Sequence, residues 1–260
     1  MKNDDPIVIT SAMRTPLGGF QGALSNLTAA DLGATAIKAA LEKSALKPDT
    51  IDEVVMGCVL PAGQGQAPAR QAGLGAGLPI GSNCTTINKM CGSGMKAAMF
   101  AHDLLIAGSA KIAVAGGMES MTNAPYLLPK ARGGMRMGHG QTMDHMFLDG
   151  LEDAYDKGKL MGCFAEDTAT KYKFSREEQD EFALRSLARA KDAIDNGDFK
   201  NEVAPVTVKS RKGESVVEHD EQPHNAKPEK IPTLRAAFAK DGTVTAANSS
   251  SISDLSLIHI

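Results

Sequence analysis

Short apolar runs alternate with helical patterns over the first 120 residues, and this alternation most constrains the fold. Apolar, β-branched runs have the length of buried strands at 7–12, 53–60, 84–87 and 111–116. Between these runs, apolar residues recur at helical spacing. The first predicted helix begins at Thr28, which forms a capping-box pattern with Asp31. The pattern predicts an α/β layered fold built from βαβ crossovers.

The charge content changes after residue 120. Residues 1–120 carry 9 Lys or Arg and 9 Asp or Glu, whereas residues 121–245 carry 19 and 21. We interpret the second range as an inserted, surface-lying α+β domain. A second capping box at Ser175 and Glu178 opens a helix there. Its predicted packed stripe contains Phe182, Leu187, Ala190 and Ile194.

Composition excludes several classes of protein. Hydrophobic content is 42% and charged content 23%, and no apolar run approaches the roughly 18 residues that span a bilayer. The net charge is −3, and there is no basic block to bind phosphates. With no Trp and 3 Tyr, aromatic residues that could stack on bases are scarce, so a nucleic-acid partner is not expected. The polar, acidic start lacks a secretory signal, so we expect a cytoplasmic location. The 4 cysteines show neither a CxxC pair nor framework spacing, which predicts free thiols and no metal site.

Cys91 occupies the most informative position in the chain. A predicted strand at 84–87 is followed by a small-residue turn and a predicted helix over 95–106, which we expect to be buried. The unpaired N–H groups at a helix start carry partial positive charge, which stabilises a thiolate that can attack a carbonyl. Gly92 and Gly94 leave room for a bulky substrate. The position alone fits a small buried apolar cysteine equally well.

Residues 61–81 are rich in glycine, alanine and proline, with a short predicted helix over 68–77. Their low side-chain bulk lets chains pack closely. On composition, the segment fits a subunit interface and a tight internal loop equally well.

Four motifs resemble those of the thiolase family, and they occur in the family's order. They are Ala12-Met13-Arg14-Thr15-Pro16, Gly63-Gln64-Gly65-Gln66-Ala67-Pro68, Asn88-Lys89-Met90-Cys91-Gly92-Ser93-Gly94 and Gly116-Gly117-Met118-Glu119-Ser120-Met121. The resemblance covers residues 6–254 and, within the family, is strongest to acetyl-CoA acetyltransferases.

The resemblance implies both a domain plan and an activity. Residues 1–120 are the N-terminal half of a thiolase-like core, residues 121–245 a loop domain for tetramer contacts and coenzyme A binding, and residues 246–254 the return to the core. The implied activity is an acyltransferase reaction in which two acetyl-CoA give acetoacetyl-CoA and CoA, reversibly, through an acyl group on Cys91. Implied partners are acyl-CoA and CoA, without another cofactor, and a homodimer or homotetramer.

The resemblance also implies substrate-binding residues, which are Ser250, Ala246, Leu151, Met161 and Leu160. Many family members have a histidine where this chain has Leu160, so the polarity of the acyl pocket differs here. Without the resemblance, Ser250 fits a turn-forming serine.

The chain departs from the family after Asp254, where a thiolase continues with glycine and a run of alanines. We interpret residues 255–260 as foreign sequence joined to a truncated gene. The missing part supplies, in the family, an Asn of an Asn-Glu motif, a His of a Gly-His-Pro motif and a Cys of a Cys-x-Gly motif. None of the 6 histidines here has such a context, so we assign no general base and expect the fragment to be inactive.

Two other functions fit parts of the sequence. One is a β-ketoacyl synthase of the same fold that takes acyl carrier protein, although the long 121–245 insertion favours a thiolase. The other is a non-catalytic module that only associates through residues 61–81.

Overall fold

The computed structural model describes residues 6–211 and 213–259, which form two compact units. The first unit comprises residues up to Asn123, Phe199–His219 and the residues from Ser253 onward; the second comprises Ala124–Asp198 and Asp220–Ile252. Strands and helices alternate up to Asn123, and they are β1 Ala12–Arg14, β2 Gly18–Gly19, α1 Ala29–Ser44, β3 Glu53–Gly57, α2 Pro68–Gly75, β4 Asn83–Ile87, α3 Ser93–Ile106 and β5 Ala113–Ser120.

The remaining elements belong to both units. They are β6 Tyr126–Leu127, β7 Met143–Asp144, α4 Met161–Tyr172, α5 Arg176–Asn196, β8 Val206–Ser210, β9 Gly213–Val217, α6 Glu221–Asn225 and β10 Ser253–His259. Of these, β8, β9 and β10 lie in the first unit. Among the residues that the structure describes, no helix is both long and apolar enough to cross a membrane.

The first unit contains one main sheet, in the order β1-β10-β5-β3-β4, with β2 also paired to β10. Strands β4, β3 and β5 run parallel, and Gly57 lies opposite Ile87 on one side and Gly117 on the other. Parallel strands end at the same edge of a sheet, which is where α/β proteins commonly bind ligands. The loops that follow β3 and β4 therefore lie at this edge, beside the last residues of β5.

Helices pack on both faces of the sheet. Val54 and Met56 of β3 share a buried cluster with Ile37 of α1 and Ala72 of α2. Val55 between them lies in a separate cluster with residues of α3, which are Ala97 and Ala101. This alternation is the two-residue period of a strand with both faces covered. The predicted α/β layering is confirmed.

Helix α1 begins and ends as its sequence predicts. The Thr28 hydroxyl accepts a hydrogen bond from the Asp31 N–H at 3.2 Å, and the Asp31 carboxylate accepts one from the Thr28 N–H at 2.9 Å. The helix ends at Ser44, before Pro48, which cannot continue it.

The predicted strand at 7–12 was wrong. Strand β1 begins only at Ala12, which pairs with His259 of the antiparallel strand β10. In the described part of the chain, residues 7–11 form no strand. Val8 and Ile9 are accordingly 64% and 70% exposed.

The prediction that α3 is buried was also wrong for this chain. Its buried residues, Ser93, Ala97 and Ala101, are small and recur every four residues on the face toward the sheet. Four of its bulky apolar residues are exposed, among them Met95, which is 70% accessible to solvent, and Met99, which is 50% accessible. Helical spacing predicted the helix correctly, but the second apolar face has no covering layer within the described residues.

The boundaries of the two units differ from the predicted domains at two places. Residues 199–219 belong to the first unit, because Val206 of β8 is buried against Leu24 and Leu32. Residues 246–252, predicted to return to the core, belong to the second unit.

The segment interpreted as foreign forms most of β10. Leu255 pairs with Glu119 of β5, and Leu257 pairs with both Gly117 of β5 and Arg14 of β1. The origin of residues 255–260 stays a prediction.

Helix α5 has the predicted capping box, and Gly197 ends it in the left-handed conformation. The predicted packed stripe is only partly present, because Phe182 is 65% exposed. The buried residue of α5 is instead Asp180, whose carboxylate pairs with Arg176 at 2.7 Å.

Candidate active site

Cys91 lies in the turn that joins β4 to α3, at the edge where the parallel strands end. Its side chain is exposed, which does not fit the alternative of a buried apolar cysteine. Gly92 follows as the residue before the first turn of α3, and no side chain caps that end of the helix. Cys91 therefore lies directly before the first turn of α3, which is the position that the sequence predicts. Its role as nucleophile stays a prediction.

Glycines bring the start of α3 very close to the sheet. A Cβ atom built on Gly57 of β3 would lie 2.5 Å from the Ser93 Cβ and 2.7 Å from its backbone carbon. A Cβ built on Gly117 of β5 would lie 3.4 Å from the Gly94 Cα. Glycine at these positions allows the backbone of helix and strands to pack directly, and it fixes the position of the turn that carries Cys91.

The loop after β3 is held by Glu119 of β5. The Glu119 carboxylate accepts hydrogen bonds from the N–H groups of Val59 at 2.8 Å and Leu60 at 3.0 Å. The Asn88 side chain donates to the Val59 carbonyl at 3.3 Å and accepts from the Met90 N–H at 2.9 Å. Glu119 and Asn88, from two sequence motifs, thus support one loop beside Cys91. Glu119 had no predicted role, although its motif was a signal for one.

Cys58 has the opposite environment to Cys91. Burial, together with the neighbouring Glu119 carboxylate, raises the pKa of the Cys58 thiol from 9.0 to about 12. Burial likewise raises the pKa of Cys84, so neither thiol is suited to act as a nucleophile at neutral pH.

The free energy of unfolding should fall as the pH rises from about 9 toward 12. The unfolded chain loses the Cys58 proton near 9.0, whereas the folded chain keeps it up to about 12, so alkaline pH favours unfolding. Urea unfolding at about pH 8 and about pH 10.5 measures this loss, which Cys58→Ala should reduce. Cys163→Ala is the control for Cys58→Ala. If the free energy of unfolding depended equally on pH in these two variants, the expectation would be contradicted.

The five predicted substrate-binding residues lie in the second unit. Leu151 ends a π-helical turn, Phe147–Leu151, and an isolated strand bridge joins the next residue, Glu152, to Leu160. Leu160 and Met161 form the start of α4. The structure therefore brings Leu151, Leu160 and Met161 together. Their function stays a prediction.

The other two predicted residues, Ala246 and Ser250, lie in the segment 243–250 and are exposed. A buried carboxylate of α4 holds this segment, since Glu166 accepts hydrogen bonds from the N–H groups of Thr243 and Val244 at 2.9 and 2.8 Å. The Asn248 side chain adds a second attachment, because it donates to the Asp180 carboxylate at 3.0 Å.

Sequence reasoning missed this supporting network. Arg176 and Asp180 stand four residues apart on α5, a spacing that suggests an ion pair, but the helix is charged on most faces and burial of Asp180 has no sequence signal.

Glu166→Gln should destabilise the second unit by about 1–3 kcal/mol. The amide keeps only one of the two acceptor oxygens that face the Thr243 and Val244 N–H groups, and its NH2 group opposes those donors. Urea unfolding of the two proteins measures the difference. The neighbouring exposed Asp167→Asn is the matched control and should change the free energy by less than about 0.5 kcal/mol. A Glu166→Gln variant as stable as this control would contradict the account.

No histidine was predicted to act as a general base. On α3, His102 is exposed and lies 3.4 Å from Asp103, and in the second unit the buried His145 pairs with Asp149 at 2.6 Å. Within the described part of the chain, no group of three or more His, Cys, Asp or Glu residues could hold a metal ion.

The chain is similar to known proteins of one family. The family model described as Thiolase, N-terminal domain, matches residues 7–256. The chain is 51% identical over 250 residues to Acetyl-CoA acetyltransferase A, mitochondrial, of Xenopus laevis, covering 95% of this chain and 59% of that relative. It is 48% identical over 250 residues to an acetyl-CoA acetyltransferase of Chromobacterium violaceum, covering 95% and 64%. Because one relative is mitochondrial by name, the cytoplasmic location stays a prediction.

Two solved structures are similar over almost the whole chain. An acetyl-CoA acetyltransferase from Syntrophomonas wolfei superimposes with a TM-score of 0.92 at 41% identity, covering 97% of this chain and 63% of that one. A thiolase from Ascaris suum in complex with coenzyme A gives 0.90 at 41% identity, covering 96% and 64%. The chain thus spans between 59% and 64% of the length of these proteins. The match of the family model to nearly all of its residues shows that this chain belongs to the thiolase family.

Proposed function

We propose that the whole protein is an acetyl-CoA acetyltransferase that converts two acetyl-CoA into acetoacetyl-CoA and CoA, and catalyses the reverse thiolysis. The observation that carries the proposal is the exposed Cys91 thiol before the start of α3, in a chain of the thiolase family. The relatives from Xenopus laevis and Chromobacterium violaceum are both named acetyl-CoA acetyltransferases, which supports the substrate class.

In the first step, the Cys91 thiolate attacks the thioester carbonyl of acetyl-CoA. A bond forms between its sulfur and the carbonyl carbon, the bond from that carbon to the CoA sulfur breaks, and CoA leaves as a thiolate that takes up a proton. We assign to the Cys91 N–H the role of donor to the carbonyl oxygen, on which negative charge develops. In other acyl-transfer enzymes, loss of one such donor slows the reaction roughly 100- to 1,000-fold.

In the second step, a second acetyl-CoA loses a proton from its methyl group to a base. The resulting carbanion attacks the acetyl group on Cys91, a carbon–carbon bond forms, and the Cys91 thiolate is released. In the family, the cysteine of a Cys-x-Gly motif acts as acid and base on this acetyl group, and the histidine of a Gly-His-Pro motif deprotonates the nucleophile. This sequence contains neither motif. We therefore propose that this chain by itself is nearly inactive.

Coenzyme A contacts are proposed for Ser250, Ala246, Leu151, Met161 and Leu160. The exposure of Ala246 and Ser250, on a segment that buried side chains hold in place, supports this role. We propose no cofactor beyond the CoA thioesters, and assembly as a homodimer or homotetramer, with residues 61–81 at the subunit interface.

Thiolysis of acetoacetyl-CoA by the whole protein tests the proposal. We expect turnover that depends on free CoA, and at least about 1,000-fold less turnover from this chain alone, because the proton-transfer residues are missing. Equal activity of the two proteins would contradict the assignment of those residues. Preference for substrates on acyl carrier protein would instead indicate a β-ketoacyl synthase, and no turnover with either carrier would indicate a module that only associates.

A further inference from the structure

Ser93, the first residue of α3, makes two hydrogen bonds across the Cys91 turn. Its hydroxyl accepts from the Lys89 N–H at 2.8 Å and donates to the Met90 carbonyl at 2.6 Å. Its backbone N–H also donates to the Met90 carbonyl at 3.0 Å. One buried side chain therefore ties the two residues before Cys91 to the helix after it.

The turn that Ser93 closes holds Met90 in an unfavourable backbone conformation. Met90 has φ = 50°, in the left-handed region that a residue with a Cβ atom seldom adopts. Its side chain is 47% exposed, so packing of that side chain contributes little to holding the conformation. Backbone strain of this kind persists only where surrounding contacts hold it. The contacts here come from Ser93 and from Asn88, whose side-chain oxygen accepts from the Met90 N–H.

Ser93 itself is fixed by the sheet. Its Cβ lies so close to Gly57 of β3 that no side chain fits between them. The Ser93 Cβ and backbone consequently have a fixed position relative to the parallel strands, and the two hydrogen bonds of the hydroxyl tie the turn to them.

We propose that Ser93 is a positioning residue for Cys91. The two hydrogen bonds of the Ser93 hydroxyl keep Met90 left-handed and hold the Cys91 thiol in front of the α3 N–H groups. The proposal rests on the proposed function of Cys91 as the nucleophile. A serine that only stabilised the helix would change the folded fraction of the chain and leave the reactivity of Cys91 in the folded chain unchanged.

Alkylation of Cys91 by iodoacetamide, followed by peptide mass spectrometry over a range of pH, tests the proposal on this chain. In Ser93→Ala we expect the Cys91 rate at neutral pH to fall by about fivefold or more relative to the unsubstituted chain, because the two hydrogen bonds that close the turn are lost. The buried Cys58 reports on folding in the same experiment, because it should stay unmodified in every folded variant.

Ser11→Ala is the matched control. Ser11 is as buried as Ser93 and its hydroxyl donates to the Ala40 carbonyl at 2.9 Å, away from the Cys91 turn. We expect Ser11→Ala to lose stability, while the alkylation rate of its Cys91 stays within about twofold of the rate in the unsubstituted chain. A folded Ser93→Ala chain with an unchanged Cys91 rate would overturn the proposal.

Met90→Gly provides a second, independent test, because glycine adopts positive φ without strain. In this background, Ser93→Ala should slow Cys91 by less than about twofold, since no strained residue then needs the hydroxyl. An equally large effect in both backgrounds would overturn the proposal. Should Ser93→Ala not fold, recovery of folding in the double variant supports the proposal, and a double variant that stays unfolded contradicts it.

The unmodified chain separates this proposal from the proposed function. If Cys91 in the folded chain reacts no faster than after unfolding in denaturant, the nucleophile assignment fails. If Cys91 is activated by folding and Ser93→Ala leaves its rate unchanged, only the role of Ser93 fails.

Discussion

Replacing Cys91 by alanine in the whole protein is expected to lower kcat for acetoacetyl-CoA thiolysis by roughly 10⁴-fold or more. The reason is that no sulfur then remains at the α3 N-terminus to carry the acyl group between the two steps. The substitution removes an exposed side chain, so the fold should be unaffected. Initial rates at saturating substrate, with the unfolding temperature measured alongside, test the expectation.

Cys163→Ala is the control for this variant. Cys163 is a free, half-buried cysteine of α4, and its replacement should change kcat by less than about twofold. A Cys91→Ala enzyme that keeps a tenth of the activity would show that the acyl group is carried elsewhere.

The largest effect on stability is expected from Gly57→Ala. The added methyl group would lie 2.5 Å from the Ser93 Cβ and 2.7 Å from its backbone carbon, so α3 must move away from β3. Overpacking of this kind costs about 1–3 kcal/mol, and contact with backbone atoms places this site at or above the upper end. Urea unfolding measures the loss. Because the same shift moves the Cys91 turn, alkylation of Cys91 should slow as well.

Gly81→Ala is the matched control for Gly57→Ala. A Cβ atom at Gly81 meets no atom within 4 Å, and the residue is exposed. Its free energy of unfolding should stay within about 0.5 kcal/mol of the unmodified chain. Equal stability of the two alanine variants would contradict the close packing of α3 on β3.

Features of the fold that depend on neighbouring residues were predictable from the sequence. The capping boxes at Thr28 and Ser175 place helix starts by bonds within four residues, so the pattern of side chains is sufficient. The position of Cys91 between β4 and α3 was predictable for the same reason, since both elements have clear apolar periodicity next to it.

Features that depend on distant partners were not predictable. Strand β1 pairs with β10, nearly 250 residues away along the chain, and no local pattern in 7–12 shows where that pairing begins. The exposure of α3 was not predictable either. Its apolar residues show that a face can be buried, but they do not show what covers that face.

The supporting contacts of the candidate site also lay beyond sequence reasoning. Glu166 and Asp180 stand in helices rich in charge, where an acidic residue ordinarily faces water. The turn that the Ser93 hydrogen bonds close contains Met90 in the left-handed conformation, and methionine gives no sequence signal of positive φ. The sequence therefore predicted Cys91 as the candidate nucleophile, and the structure was needed to find the side chains that contact its turn.

The most direct test of the central claim is peptide mapping of the whole protein after brief incubation with acetyl-CoA and acid quenching. The account predicts a thioester-linked acetyl group on the peptide that contains Cys91, removed by free CoA and absent from the Cys91→Ala variant. An acetyl group on another residue that CoA removes at the rate of turnover, with Cys91 unmodified, would contradict the account.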